Sequence, residues 1–258
     1  MTRHDNLPYS AQHQDRRLMD VFVPDAPNGA GILFIHGGGW QGGTKESWHP
    51  VMEHFCGLGY VCATAQYRLC PEVTLVGIIE DVRLAMSFMR EHAEAWGFDA
   101  GRVAAYGSSA GGHLVGLLAT IRPDDDLGVT DELALRDTVP QAIVAINPAL
   151  SLSRLDQKWV PAQMLSDWPP TAGSPSPEER LRGGEPPHLI VVGDRDDITP
   201  LPMQEAAVTA LQGHGVSVEL VVIPGATHGA FYGVTSEYQQ LALPHIEGFL
   251  AKALGMRA

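Results

Sequence analysis

Cysteine is scarce in this chain, and the three that occur, Cys56, Cys62 and Cys70, stand in no metal-binding spacing. An odd number with no C-x-x-C argues against a disulfide framework or a thiolate metal site, so buried free thiols are expected. Positive charge is also short: 17 lysines and arginines face 30 aspartates and glutamates, a net charge of −13. That sign opposes binding to nucleic acid or to an anionic membrane. It suits a protein that takes a neutral substrate or releases an acid product. The chain shows no basic start followed by an apolar core, and no apolar run long enough to span a bilayer. A cytoplasmic location without a membrane partner is therefore expected. H-E-x-x-H is missing, and His49 and His54 have no metal-ligand partner set. The Asp124-Asp125-Asp126 run reads as a solvated loop rather than a cation site. Neither a metal nor a cofactor is expected. Without internal repeats or a separating linker, residues 1–258 read as one domain, long enough to bury a sizeable core.

What the sequence does contain is a glycine-flanked serine. Residues Arg102 to Leu118 run from a short apolar stretch through Gly107-Ser108-Ser109-Ala110-Gly111 into a helical pattern. This is the G-x-S-x-G spelling of a nucleophile elbow, a sharp turn from strand to helix. Such a turn crowds the serine backbone from both chain directions, so its neighbours must be small; Gly107, Ala110, Gly111 and Gly112 are. It also puts Ser109 at a helix N-terminus, where free N–H groups favour a developing negative charge.

Strand and helix signals alternate along the rest of the chain. Residues 1–17 are polar and are expected to wrap the surface, with the first strand near Arg17 to Pro24. Gly31 to Ile35 is a continuous apolar run, as for a strand covered on both faces. It delivers His36-Gly37-Gly38-Gly39-Trp40 to a loop whose glycines suggest a close backbone approach to something. A short helix is predicted over Ser47 to Leu58 and a strand over Tyr60 to Ala65. The three- and four-residue recurrence from Ile78 to Trp96 predicts one long amphipathic helix, its methionine and aromatic stripe serving as core. Further strands are read at Ala142 to Ile146, His188 to Val192 and Val216 to Ile223, and helices at Leu201 to Leu211 and Ser236 to Leu254. Residues 147–187, rich in proline and carrying Trp159 and Trp168, read as a lid or pocket wall. The alternation gives an α/β fold with a mostly parallel sheet and helices on both faces. Sites in such sheets form at the carboxyl ends of strands. The glycine loop, Ser109, the Asp194-Asp196-Asp197 cluster and His228 all follow apolar strands directly.

A serine hydroxyl attacks only when a base takes its proton. Histidine suits that task, with a reference pKa of ~6.5, and an aspartate must orient the imidazole. Activity is therefore expected to rise as the histidine loses its proton, around pH ~6 to 7. His228, between glycine-rich turns after the last strand, is the expected base. Asp196 is the expected acid, four residues before the proline that opens the next helix, while Asp194 structures the turn. His113, on the elbow helix, is expected to pack or hydrogen-bond, and His36 to brace its own loop. The order serine, acid, histidine is that of the α/β-hydrolases.

From about Leu18 onward the chain resembles the α/β-hydrolase esterases of the hormone-sensitive-lipase-like and feruloyl/acetyl-xylan esterase-like groups. The resemblance is carried by His36 to Trp40, Tyr67-Arg68-Leu69, Glu80-Asp81-Val82, Gly107 to Leu114, Asp196 to Pro200 and His228-Gly229. It implies an α/β-hydrolase fold, a small-molecule ester substrate, and an oxyanion hole from the backbone N–H groups of Gly38, Gly39 and Ala110. The glycine loop begins at Gly37, leaving too little chain for the helical cap of the hormone-sensitive-lipase-like enzymes, so the likeness leans to open-site esterases. The pocket is then expected to be walled by Trp40 and the 147–187 segment, Trp159 and Trp168 being either core or substrate contacts. The expected activity is a serine carboxylesterase on short-chain or aryl esters. The alternatives are an arylformamidase-type amide hydrolase, in which Gly39 stands where that group carries a tyrosine, and a non-catalytic binding protein.

Overall fold

The computed structural model describes all residues except 123, 124, 126, 129, 131, 132, 134–136, 232 and 256–258. Its frame is an eight-stranded sheet: β1 (Thr2–Pro8), β2 (Leu18–Val23), β3 (Gly29–Ile35), β4 (Val61–Ala65), β5 (Phe98–Ser108), β6 (Ala142–Ile146), β7 (His188–Gly193) and β8 (Val218–Ile223). The order across the sheet is β1-β2-β4-β3-β5-β6-β7-β8. β1, β2 and β4 pair antiparallel, and every other pair is parallel. The apolar runs that predicted covered strands are the inner ones: β4, β6 and β7 are buried at every residue.

Period-two alternation sorts these side chains between two layers. Ile32, Phe34 and Tyr106 point to one face, where they meet Trp48, Phe55 and Phe249. Leu33, Ile35 and Ala105 point to the other, against Ile78, Met86 and Leu114. The first layer is closed by α1 (His49–Gly57) and α6 (Glu237–Ala253). The second is closed by α2 (Leu75–Glu91), α3 (Ala93–Trp96) and α4 (Ala110–Thr120), with α5 (Leu201–Gly213) over the β7 end.

Two boundaries differ from the sequence reading. The polar N-terminus forms the edge strand β1 instead of a loose wrap, because backbone pairing with β2 needs no apolar pattern and leaves its side chains largely exposed. The long helix predicted to end at Trp96 stops at Glu91, and α3 follows a break at His92. Of the acidic run, Asp124 and Asp126 lie outside the described residues. Asp125 is buried and pairs with Arg180 and Arg182, not with solvent. Among the described residues no helix is long and apolar enough to cross a membrane, and no cluster of side chains could hold a metal ion. His49 and His54 instead meet Asp20 and Glu247, each at 2.8 Å. The three cysteines are free and buried.

A buried ion cluster ties the antiparallel side of the sheet to α2. Asp81, fully buried, accepts from Arg17 Nε at 2.8 Å, from Arg68 Nη2 at 2.7 Å and from the Arg68 amide at 2.8 Å. Glu80 takes the other end of Arg17. Removing the acid would leave two buried guanidiniums with Glu80 as their one remaining described acidic partner. Asp81→Ala is therefore expected to cost about 3–5 kcal/mol of stability, read as a lower urea midpoint with an unchanged slope. A loss under ~1 kcal/mol would show the cluster to be dispensable.

Burial also holds three histidines neutral: His36, His113 and His188 are each lowered to a pKa of about 4. Their folded values lie below the unfolded ~6.5, so the native state binds fewer protons and its stability is complete only above that pH. Each is expected to remove up to ~1.4 kcal/mol per pH unit as the pH falls from ~6.5 towards 4. Urea unfolding at pH 7.5 and at pH 5 checks the sign; equal stability at both would contradict it.

Candidate active site

The elbow is built by two backbones that touch. Ser109 sits between β5 and α4 at φ 55°, ψ −117°, a conformation an L-residue adopts only under constraint. A side chain at Gly107 would collide with the Gly111 carbonyl, and one at Gly111 with the Ile35 carbonyl. The small residues read from sequence thus also seat α4 against the start of the glycine loop. The Ser109 amide donates to Ile146 O at 2.9 Å, and its carbonyl accepts from the His113 amide at 3.0 Å.

His228 arrives from the turn after β8. Its Nε2 lies 2.8 Å from Ser109 Oγ and its Nδ1 2.8 Å from Asp196 Oδ2. The loop after β7 that carries Asp196 runs against the histidine loop so closely that a side chain at Gly193 would strike the Ala226 carbonyl. Asp196 Oδ1 accepts the amides of Ile198 and Thr199 at 2.9 and 2.8 Å, and Oδ2 accepts Thr199 Oγ1 at 3.0 Å. Burial opposes its ionisation, but His228 and the two amides outweigh it and hold the carboxyl below its ordinary value. An ionised carboxylate only accepts, so His228 Nδ1 carries the proton and Nε2 turns a lone pair to the Ser109 hydroxyl.

The three neighbouring aspartates part company in space. Asp196 is buried, while Asp194 and Asp197 are exposed. Asp194 braces the two loops by accepting the Gly225 amide at 2.7 Å.

Opposite His228, the glycine loop turns through positive φ at Gly38, Gly39 and Trp40 (117°, 61° and 59°). The Gly38 carbonyl accepts the amides of Gln41 and Gly42 at 3.1 and 3.0 Å. Among the described residues no hydrogen bond takes up the amides of Gly38, Gly39 or Ala110. His36 binds the Gly37 carbonyl through Nδ1 at 2.8 Å and stacks on Tyr67, 4.2 Å between rings. The Trp40 indole donates to His113 Nδ1 at 3.3 Å, and His113 Nε2 meets the Pro175 carbonyl at 2.9 Å. A neutral His113 does both by carrying its proton on Nε2.

Ser109 opens on a cleft of about 690 Å³. Trp40, Leu155, Trp159, Ile198 and His228 are among its walls. Trp40 is buried, whereas Trp159 stands 41% exposed. Trp168 is not in the lining: its indole donates to the Gly173 carbonyl at 2.8 Å and its ring packs against the core. Sequence reasoning missed Asn147, Thr199, Leu155 and Ile198. For Asn147 a signal existed, since it directly follows the buried strand β6 at the shared edge. Leu155 lies in the 147–187 segment read as a pocket wall and Ile198 and Thr199 in the Asp196 to Pro200 motif, but the irregular loops that carry them gave no period to single them out.

The BD-FAE family model matches residues 19–211. A probable carboxylic ester hydrolase of Mycobacterium tuberculosis, LipM, is 31% identical over 201 residues, covering 73% of this chain and 46% of that protein. An ethyl acetate hydrolase of Pseudomonas putida is 29% identical, over 78% of this chain and 65% of its own. The chain spans about half to two thirds of the length of the curated relatives it matches. Among solved structures, the thermophilic esterase Est2 of Thermogutta terrifontis superposes with a TM-score of 0.85 at 28% identity, over 99% of this chain and 93% of that one. The family match runs from β2 into α5 and takes in the glycine loop, the serine elbow and the acid loop. This chain belongs to the BD-FAE family and has the α/β-hydrolase fold of esterases.

Proposed function

We propose that this protein is a cofactor-free serine carboxylesterase acting on short-chain or aryl esters. The observation that carries the reading is the unbroken hydrogen-bond chain from Ser109 Oγ through His228 to Asp196, each link 2.8 Å, on the wall of an open cleft. Ser109 Oγ attacks the ester carbonyl while His228 Nε2 takes its proton. The tetrahedral oxyanion is held by the amides of Gly38, Gly39 and Ala110, which have no other described partner. Collapse expels the alcohol, which receives the proton from His228, and leaves an acyl group on Ser109. Water, deprotonated by the same imidazole, then releases the acid. Asp196 keeps the imidazole oriented and stabilises its cationic form.

The relatives support the substrate class. Est2 of Thermogutta terrifontis has been solved with butyrate and with propionate, and phosphonylated by sarin. In this chain residues 147–187 serve as the wall of the cleft rather than a separate domain, contributing Leu155, Lys158 and Trp159 to it. The segment is tied to the start of α2 by the Leu75 amide on Met164 O and Thr74 on Asp167, each 2.8 Å. A surface of net charge −13 favours small neutral esters over polyanions as partners.

Initial rates on p-nitrophenyl acetate test the assignment. Ser109→Ala is expected to lose at least ~10³-fold in kcat, and Asp196→Asn to lose up to ~10⁴-fold through the wrong imidazole tautomer. Wild-type rates in the Ser109→Ala protein would reject Ser109 as nucleophile. Faster turnover of N-formylkynurenine than of phenyl acetate would move the protein to the amide-hydrolase reading.

A further inference from the structure

One residue outside the three discussed above bonds both loops that carry the acid and the histidine, next to the residue that receives the Ser109 amide. Asn147 follows β6 at φ 43°, in the left-handed region that asparagine tolerates better than most residues, and is fully buried. Its side-chain amide faces two loops. Nδ2 donates to the His228 carbonyl at 2.7 Å, and Oδ1 accepts the Gly193 amide, at the root of the acid loop, at 3.2 Å. Its backbone extends the same junction. The carbonyl lies 3.0 Å from Thr199 Oγ1, an alternative acceptor to Asp196 Oδ2 for that single hydroxyl proton, and the amide donates to Val191 O at 2.7 Å. The residue before it, Ile146, receives the Ser109 amide at 2.9 Å.

We propose that Asn147 is a positioning residue that sets the register between the histidine and acid loops, and so holds His228 Nδ1 on Asp196 and Nε2 on Ser109. The inference rests on the serine-esterase reading for its kinetic consequence, but not for its geometric one. The chemistry requires an amide. A carboxylate of the same shape has no donor, so Asn147→Asp would set an acceptor against the His228 carbonyl oxygen. A hydrophobic residue would leave a part-buried carbonyl and a buried N–H without this partner. Glycine keeps the left-handed backbone but drops both bonds. The His228 loop then keeps the Gly225 amide on Asp194 and the Arg195 amide on the Ala226 carbonyl but loses its tether at the histidine itself, and a shift of about 1 Å at the imidazole is enough to cost on the order of 10²-fold in rate.

The test compares wild type, Asn147→Gly and Asn147→Asp in three measurements: ester hydrolysis, the rate of phosphonylation by a fluorophosphonate probe, and the downfield proton resonance of the His228 Nδ1–H···Asp196 bond. In both variants kcat is expected to fall by roughly 10- to 10²-fold with KM within about twofold. Phosphonylation should slow in parallel, and the resonance should shift or broaden while unfolding stays cooperative. A merely structural role would lower the melting temperature and leave the resonance in place in the folded fraction, which would overturn the proposal. So would wild-type kcat in either folded variant. If the glycine variant does not fold, the isosteric Asn147→Asp decides. A wild-type protein inert towards esters would defeat the esterase reading alone, because the resonance and the phosphonylation rate would still judge Asn147.

Discussion

The architecture of the site depends on backbones that meet without side chains between them. Gly111 lies against the carbonyls of Ile35 and His36, which seats the elbow helix directly on the root of the glycine loop. Gly193 lies against the Ala226 carbonyl, which does the same for the acid and histidine loops. These two contacts bring four loops from the carboxyl ends of β3, β5, β7 and β8 to one rim. A methyl group at either position would push the loops apart by more than a hydrogen bond tolerates. The strained Ser109 backbone is held by that packing and by the Ile146 carbonyl.

Within this frame, charge is assigned by environment. Asp196 is buried yet receives donors on both oxygens, so it stays ionised and dictates the tautomer of His228. His113 is equally buried but faces one donor and one acceptor, so it stays neutral and links the glycine loop to Pro175 in the 147–187 segment. The same imidazole chemistry therefore serves two ends. At 228 the ring faces the cleft, whereas at 113 desolvation keeps it neutral.

Much of the fold was legible because its causes are local. Continuous apolar runs predicted the covered strands, and glycine spacing around Ser109 predicted the elbow. The reading failed where stability comes from partners distant in sequence. Thr2–Pro8 carries no apolar alternation and becomes a strand only because β2 offers an edge to pair with. The helix predicted through to Trp96 is the local exception: it breaks at His92, where the ring caps the Phe88 carbonyl at 2.9 Å and stacks on Trp96, each four residues away. Trp159 and Trp168 lie nine residues apart in one irregular segment, and only the packing of that segment put one at the cleft and turned the other onto Gly173.

The sequence by itself determined the order of chemical groups along the chain and the strand ends that bear them, because period and glycine placement are properties of neighbouring residues. It pointed to Asp196 among three aspartates in four positions. Only the tertiary structure sets Asp196 apart in space, since burial and the alignment of a carboxylate with an imidazole 32 residues away are set by how two loops pack. It alone also made Asn147 the junction of those loops, because the two backbones that its side chain bonds lie 81 and 46 residues away in the chain.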